Sequence, residues 1–263
     1  MKHLIFCLLV CCTAFAQNNS VKKEDTVLNK AKVQYNSNGY KKVTNHSKFG
    51  VVDSTGVETI PSIYDQMGFF SEDKIWVKLG DKMGSFSKTG QEIIPLIYDY
   101  VGNFKDERAV VVNKGKYGYC NTDGKVTIPL IYDIADQFKN GIAIVRKSGK
   151  CGIINVNGKV LLPLIYDTID GFDNGLARVY RDKKWGYVDI NFKEIIPCMY
   201  ERANFFRDGL CLLLLNGKIG FVDKSGTIAI PFIYEMAENF KNGTTTVTLN
   251  GKTFIIDKQG NKI

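Results

Sequence analysis

The chain has 263 residues, 44% of them hydrophobic and 24% charged, and a net charge of +8. That length can bury a substantial core, and the scattered lysines, with no basic run longer than two, exclude the charge pattern of a nucleic-acid binder. With only two histidines, His3 and His46, multi-histidine metal centres are excluded as well, and no metal or cofactor is expected.

In chain order the first feature is the opening MKHLIFCLLVCCTAFAQ. Lys2 precedes an apolar run over 4–12, and Ala14-Phe15-Ala16 offers a small-x-small cleavage site. Residues 1–16 therefore read as a signal peptide cleaved before Gln17, too short for a membrane anchor of about 20 apolar residues. A lipoprotein is disfavoured, because Val10 and Cys11 stand where a small residue must precede a lipidated Cys11 or Cys12. The expected location is thus secreted or periplasmic, with no transmembrane segment. Residues 17–35 are polar and read as a linker.

From residue 36 onward the chain repeats itself. Its six prolines, Pro61, Pro95, Pro129, Pro163, Pro197 and Pro231, stand 34 residues apart. Three places after each comes a tyrosine, from Tyr64 to Tyr234, and then an acid: Asp65, Asp99, Asp133, Asp167, Glu201 and Glu235. A phenylalanine follows, from Phe70 to Phe240, and eleven residues before each proline lies a glycine, from Gly50 to Gly220. A seventh unit begins with Phe254 in the glycine slot and stops at Ile263.

Dense glycine and short apolar runs are strand and turn signals, not the pattern of a helical array of the same period. In the third unit, 109–112, 117–120 and 125–128 read as strands, the last closed by Pro129. Asn113-Lys114-Gly115-Lys116 reads as the hairpin turn between the first two, and Asn121-Thr122-Asp123-Gly124 as a type I turn before the third. Each unit is then a three-stranded antiparallel meander. The second strand is apolar on both faces, so neighbouring units must cover it. Six full units and a truncated seventh can stack as an open, curved, solenoid-like array or close into a six- or seven-bladed β-propeller. Propeller blades have four strands and about 40 residues or more, which favours the open array.

The phrases Lys184-Trp185-Gly186-Tyr187-Val188-Asp189, Ile128-Pro129-Leu130-Ile131-Tyr132-Asp133 and Phe172-Asp173-Asn174-Gly175 resemble the bacterial WG-repeat family, over residues 36–263. Two departures stand out. Only Trp185 supplies the eponymous tryptophan, and Phe192 replaces a turn glycine. The resemblance implies an all-β interaction repeat and no particular chemistry.

Among candidate sites, His46 falls in a hairpin turn, and the repeated acids occupy one slot per unit, as turn-capping residues do. Cys120, Cys151, Cys198 and Cys211 share slots with apolar or small residues and read as core filler. Aromatics remain: Trp76, Tyr117, Tyr180, Trp185 and Tyr187 are the candidate binding residues. Trp185 and Tyr187 lie in mostly apolar slots, where packing between units is the competing reading; Trp76 and Tyr180 lie in strands that elsewhere carry Arg178 and Arg181. The expected function is a non-catalytic scaffold that binds a protein or glycan of the cell envelope. The alternative, an extracellular glycan hydrolase, would draw on Glu72 and Glu107, each in the loop after a repeated phenylalanine.

Overall fold

A computed structural model describes residues 39–263, so the expected signal peptide, the linker and the first residues of the repeat region lie outside the described residues. Every regular element described is a β-strand, and the strands form seven antiparallel sheets in chain order. In the third sheet the strands are Tyr100–Val101, Ala109–Asn113, Lys116–Cys120 and Val126–Tyr132. The hairpin between the middle two carries Lys114 at φ 51 and Gly115 at φ 71, the paired left-handed residues that match the twist of flanking strands.

Two expectations need correction. The five inner sheets have four strands, because a two-residue strand opens each of them before the expected meander. The third long strand also does not stop at proline but runs through Pro129 to Tyr132. The second follows from the edge position of that strand, where a missing N–H breaks no ladder bond. One residue past Tyr132, Asp133, the chain starts the next sheet at Ile134.

Glycine and proline turn out to act as a pair. Tyr117 lies opposite Tyr132 and Tyr119 opposite Ile128, so the edge strand carries two extra residues there as a bulge. That bulge crosses directly over Gly118, where a Cβ would sit 2.6 Å from the Ile128 carbonyl oxygen and 2.9 Å from Leu130 N. Gly50, Gly84, Gly152, Gly186 and Gly220 meet the same crossing, which explains why the slot tolerates no side chain in six units.

The acid slot bridges units. Asp133 accepts from Lys116 Nζ at 2.5 Å and from the Ser148 backbone N–H in the next hairpin at 2.7 Å. Asp65, Asp99 and Asp167 repeat this pair of bonds, so the acids are turn caps as expected. A turn acid or amide, such as Asp53, Asn121 or Asp223, accepts backbone N–H groups two and four residues on.

Six hydrophobic clusters form the core, each joining one sheet to the next. In Ala109–Asn113 the alternation is visible: Ala109 and Val111 face the second sheet, Val110 and Val112 the fourth. Along Lys116–Cys120, Tyr119 packs with the fourth sheet and Cys120 with the second, so that strand is covered on both sides by neighbours and stability lies in the stacking. Among the described residues no cluster joins the seventh sheet to the first, which makes the stack open and solenoid-like.

Candidate binding face

Because every unit repeats one backbone, side chains in equivalent slots can be compared directly. The fifth sheet departs most from its neighbours. Leu176–Arg181 pairs with Lys184–Asp189, so that Tyr180 faces Trp185 and Arg178 faces Tyr187. The Tyr180 and Trp185 ring centroids are 4.6 Å apart. Arg178 lies between two rings, with its guanidinium carbon 4.2 Å from Trp185 and 4.4 Å from Phe205, a loop residue of the sixth sheet. Its Nε donates to Asp170 Oδ2 and its Nη1 to the Ala203 carbonyl, both at 2.7 Å. The outcome is a continuous stack, Tyr180–Trp185–Arg178–Phe205, whose outer ring is 43% exposed.

The same device occurs once more, four units earlier and on the same slots. Lys42 Nζ lies 4.2 Å from Phe49 and 5.7 Å from Phe69 and donates to the Met67 carbonyl. Desolvation lowers the Lys42 pKa. Phe69 is 79% exposed. Sequence reasoning missed Phe69 and Phe205. The available signal was their slot, which elsewhere holds Asn103, Gln137, Gly171 and Asn239.

The five expected aromatics separate. Tyr180 and Trp185 come together in the stack, both partly buried. Tyr187 is buried, and its hydroxyl donates to the Asn204 carbonyl; burial raises its pKa. It is a core residue, because its side of the strand faces the sixth sheet. Trp76 is partly buried over Gly68, where a Cβ would sit 2.3 Å from Trp76 Nε1, and packs toward the third sheet. Tyr117 lines a hollow of about 320 Å³ with Tyr100, Ile134 and Gln137.

The residues weighed for catalysis lie away from this stack. Glu72 and Glu107 are left-handed turn residues at φ 51 and 60, and the Glu107 N–H donates to Glu72 Oε2 at 3.2 Å. His46 is an exposed turn residue at φ 45. Cys120, Cys151 and Cys211 are buried, and burial pushes the thiols of Cys120, Cys198 and Cys211 up to about 11, away from nucleophilic thiolate. Among the described residues no group of three or more His, Cys, Asp or Glu could hold a metal ion. No helix there is long and apolar enough to cross a membrane.

A family model described as WG containing repeat matches the chain six times, at residues 49–82, 84–117, 117–151, 152–185, 185–218 and 219–252. No curated protein matches. Among solved structures, a eukaryotic initiation factor is 8% identical, with 86% of this chain and 73% of that one covered and a TM-score of 0.39. Hsv2 of Kluyveromyces marxianus is 8% identical, with 82% and 88% covered and a TM-score of 0.37. PorZ, a surface component of the type-IX secretion system of Porphyromonas gingivalis, is 10% identical, with 86% and 35% covered and a TM-score of 0.32. Likenesses this distant carry no argument about what the chain does.

Proposed function

The chain belongs to the WG-repeat family, and from that premise we propose that it is a secreted or periplasmic, non-catalytic scaffold whose inter-sheet face binds a protein or glycan of the cell envelope. The observation that carries this is the stack ending on exposed Phe205. Arg178 is held by Asp170 and Ala203, so the rings on either side of it stand in place before a partner arrives. Pre-ordered aromatic surface is the usual source of binding energy, since little side-chain entropy remains to be lost. The leader-like opening supports export. Glu72 and Glu107, bound into adjoining turns, lend the hydrolase alternative no support.

Affinity capture with the full chain, from envelope and medium fractions, tests the reading. A partner retained by the native chain and lost with Phe205→Ala, at unchanged melting temperature, is the expected result. Glycan cleavage without any retained partner would overturn it.

A further inference from the structure

The fourth sheet keeps the carboxylate of the fifth-sheet stack but not the side chains around it. Asp136 takes the slot of Asp170, and its backbone N–H donates to the Ile144 carbonyl at 3.0 Å, as that of Asp170 does to Arg178 at 2.9 Å. Yet Ile144 replaces Arg178, Cys151 replaces Trp185 and Gly171 replaces Phe205. Where the fifth sheet has a guanidinium under a phenyl ring, the fourth has a hollow of about 470 Å³ lined by Asp136, Ile144, Gly171, Phe172, Ile190 and Phe192. That volume is within the range of small-ligand sites.

The walls suit a particular occupant. Phe172 and Phe192 meet edge to face, with centroids 6.1 Å apart, and with Ile190 and Ile144 they form an apolar lining. Asp136 supplies the negative charge; it is an exposed residue at the mouth of the hollow, no hydrogen bond or ion pair to its carboxylate occurs among the described residues, and partial desolvation by the neighbouring walls raises its pKa. Lys139 stands at the rim as the one ammonium lining the hollow. A carboxylate beside aromatic and aliphatic walls complements a cation on an alkyl stem.

We propose that the hollow between the fourth and fifth sheets binds an alkyl-guanidinium or alkyl-ammonium group, which takes beside Asp136 the place that Arg178 takes beside Asp170. The chemistry is shared by an arginine or lysine side chain of a polypeptide and by a free polyamine.

Calorimetric titration of the full chain tests this with three probes: acetyl-Gly-Arg-Gly-amide, the same peptide with glutamine for arginine, and spermidine. At least one cationic probe is expected to bind and the glutamine peptide not to. Binding of the arginine peptide alone assigns the source to a polypeptide, and of spermidine alone to a free amine. Asp136→Asn is expected to weaken binding about tenfold or more, the worth of a charge-assisted hydrogen bond. Gly171→Phe, which rebuilds the Phe205 ring where an added Cβ meets nothing within 4 Å, is expected to abolish it. Lys139→Met is expected to strengthen it. Equal affinity for the glutamine peptide, or an Asp136→Asn variant that binds like the native chain, overturns the proposal. The site extends the scaffold reading and is separable from it: partner capture without cation binding overturns the hollow alone, and cation binding without capture overturns the scaffold alone.

Discussion

The fifth and sixth sheets share one backbone and differ in what fills it. Leu176–Arg181 pairs with Lys184–Asp189 in the same register as Leu210–Leu215 with Lys218–Asp223. Tyr187 and Phe221 occupy one slot, are both buried, and pack on the repeated Phe206 and Phe240. In the slots around it the likeness ends. Arg178 and Trp185 become Leu212 and Ile219, both buried, and exposed Phe205 becomes Asn239. The glycine, tyrosine and acid slots thus maintain the stack, while a few inter-sheet slots decide whether a unit closes over itself or presents a surface.

Truncation of the shared core slot is the strongest way to test the equivalence. Tyr187→Ala and Phe221→Ala are each expected to cost about 3–5 kcal/mol, read by urea denaturation. A clear inequality between them would break the comparison. Next come Gly186→Ala and Gly220→Ala, which force the bulged strand aside at a cost of about 1–3 kcal/mol. Gly186 is expected to be the more sensitive, because its added Cβ would lie 2.5 Å from the rigid Ile196 carbonyl, whereas the nearest atom at Gly220 is Phe232 Cδ1 at 2.8 Å.

Exchanging the variable slots has a smaller effect. Arg178→Leu imports the sixth-sheet residue but strands Asp170, a loss of about 1–2 kcal/mol. Asp170→Asn in the same chain is expected to restore part of it, and the mixed stability effect would separate charge from packing. Trp185 fluorescence should change in both the single and the double variant, because each removes the guanidinium from its ring.

The smallest effect at neutral pH belongs to the acid ladder. The carboxyls of Asp65, Asp99, Asp133, Asp167 and Glu201 are held below their ordinary range, chiefly by the lysine hydrogen bond. With the folded pKa depressed, the unfolded chain takes up protons first, so this contribution is complete above about pH 4 and is lost as pH falls through the folded values. Melting temperature measured from pH 6 down to 2 should fall over that window. Replacing Lys116, Lys150 and Lys184 together by methionine should flatten the decline.

Much of the molecule was legible from residue spacing. A 34-residue period leaves the strands and hairpins little freedom, because a slip of one residue would turn every apolar side chain to the wrong face. The caps at Asp133 and its counterparts, and the cysteines as core filler, followed from shared slots. What was not legible was depth. Tyr187 and Trp185 are two residues apart with the glycine between them, yet one is sealed and the other forms part of a surface stack. Both lie on the side that faces the sixth sheet, but Tyr187 is closed off by Phe206 of that sheet whereas Trp185 is covered by Arg178 of its own, so burial depends on which side chains meet each ring after packing.

By itself, then, the sequence determined the period, the three long strands of each unit and the turns between them, because local periodicity and turn chemistry act within a single unit, and the two apolar faces of the second long strand called for stacking. Only the tertiary structure decided why proline demands glycine in the facing strand, that Phe205 closes over Arg178, and that Asp136 is left beside a hollow. Each of these arises between chain segments that meet only once neighbouring strands and sheets are packed, where the volume one side chain leaves empty is set by another 34 residues away.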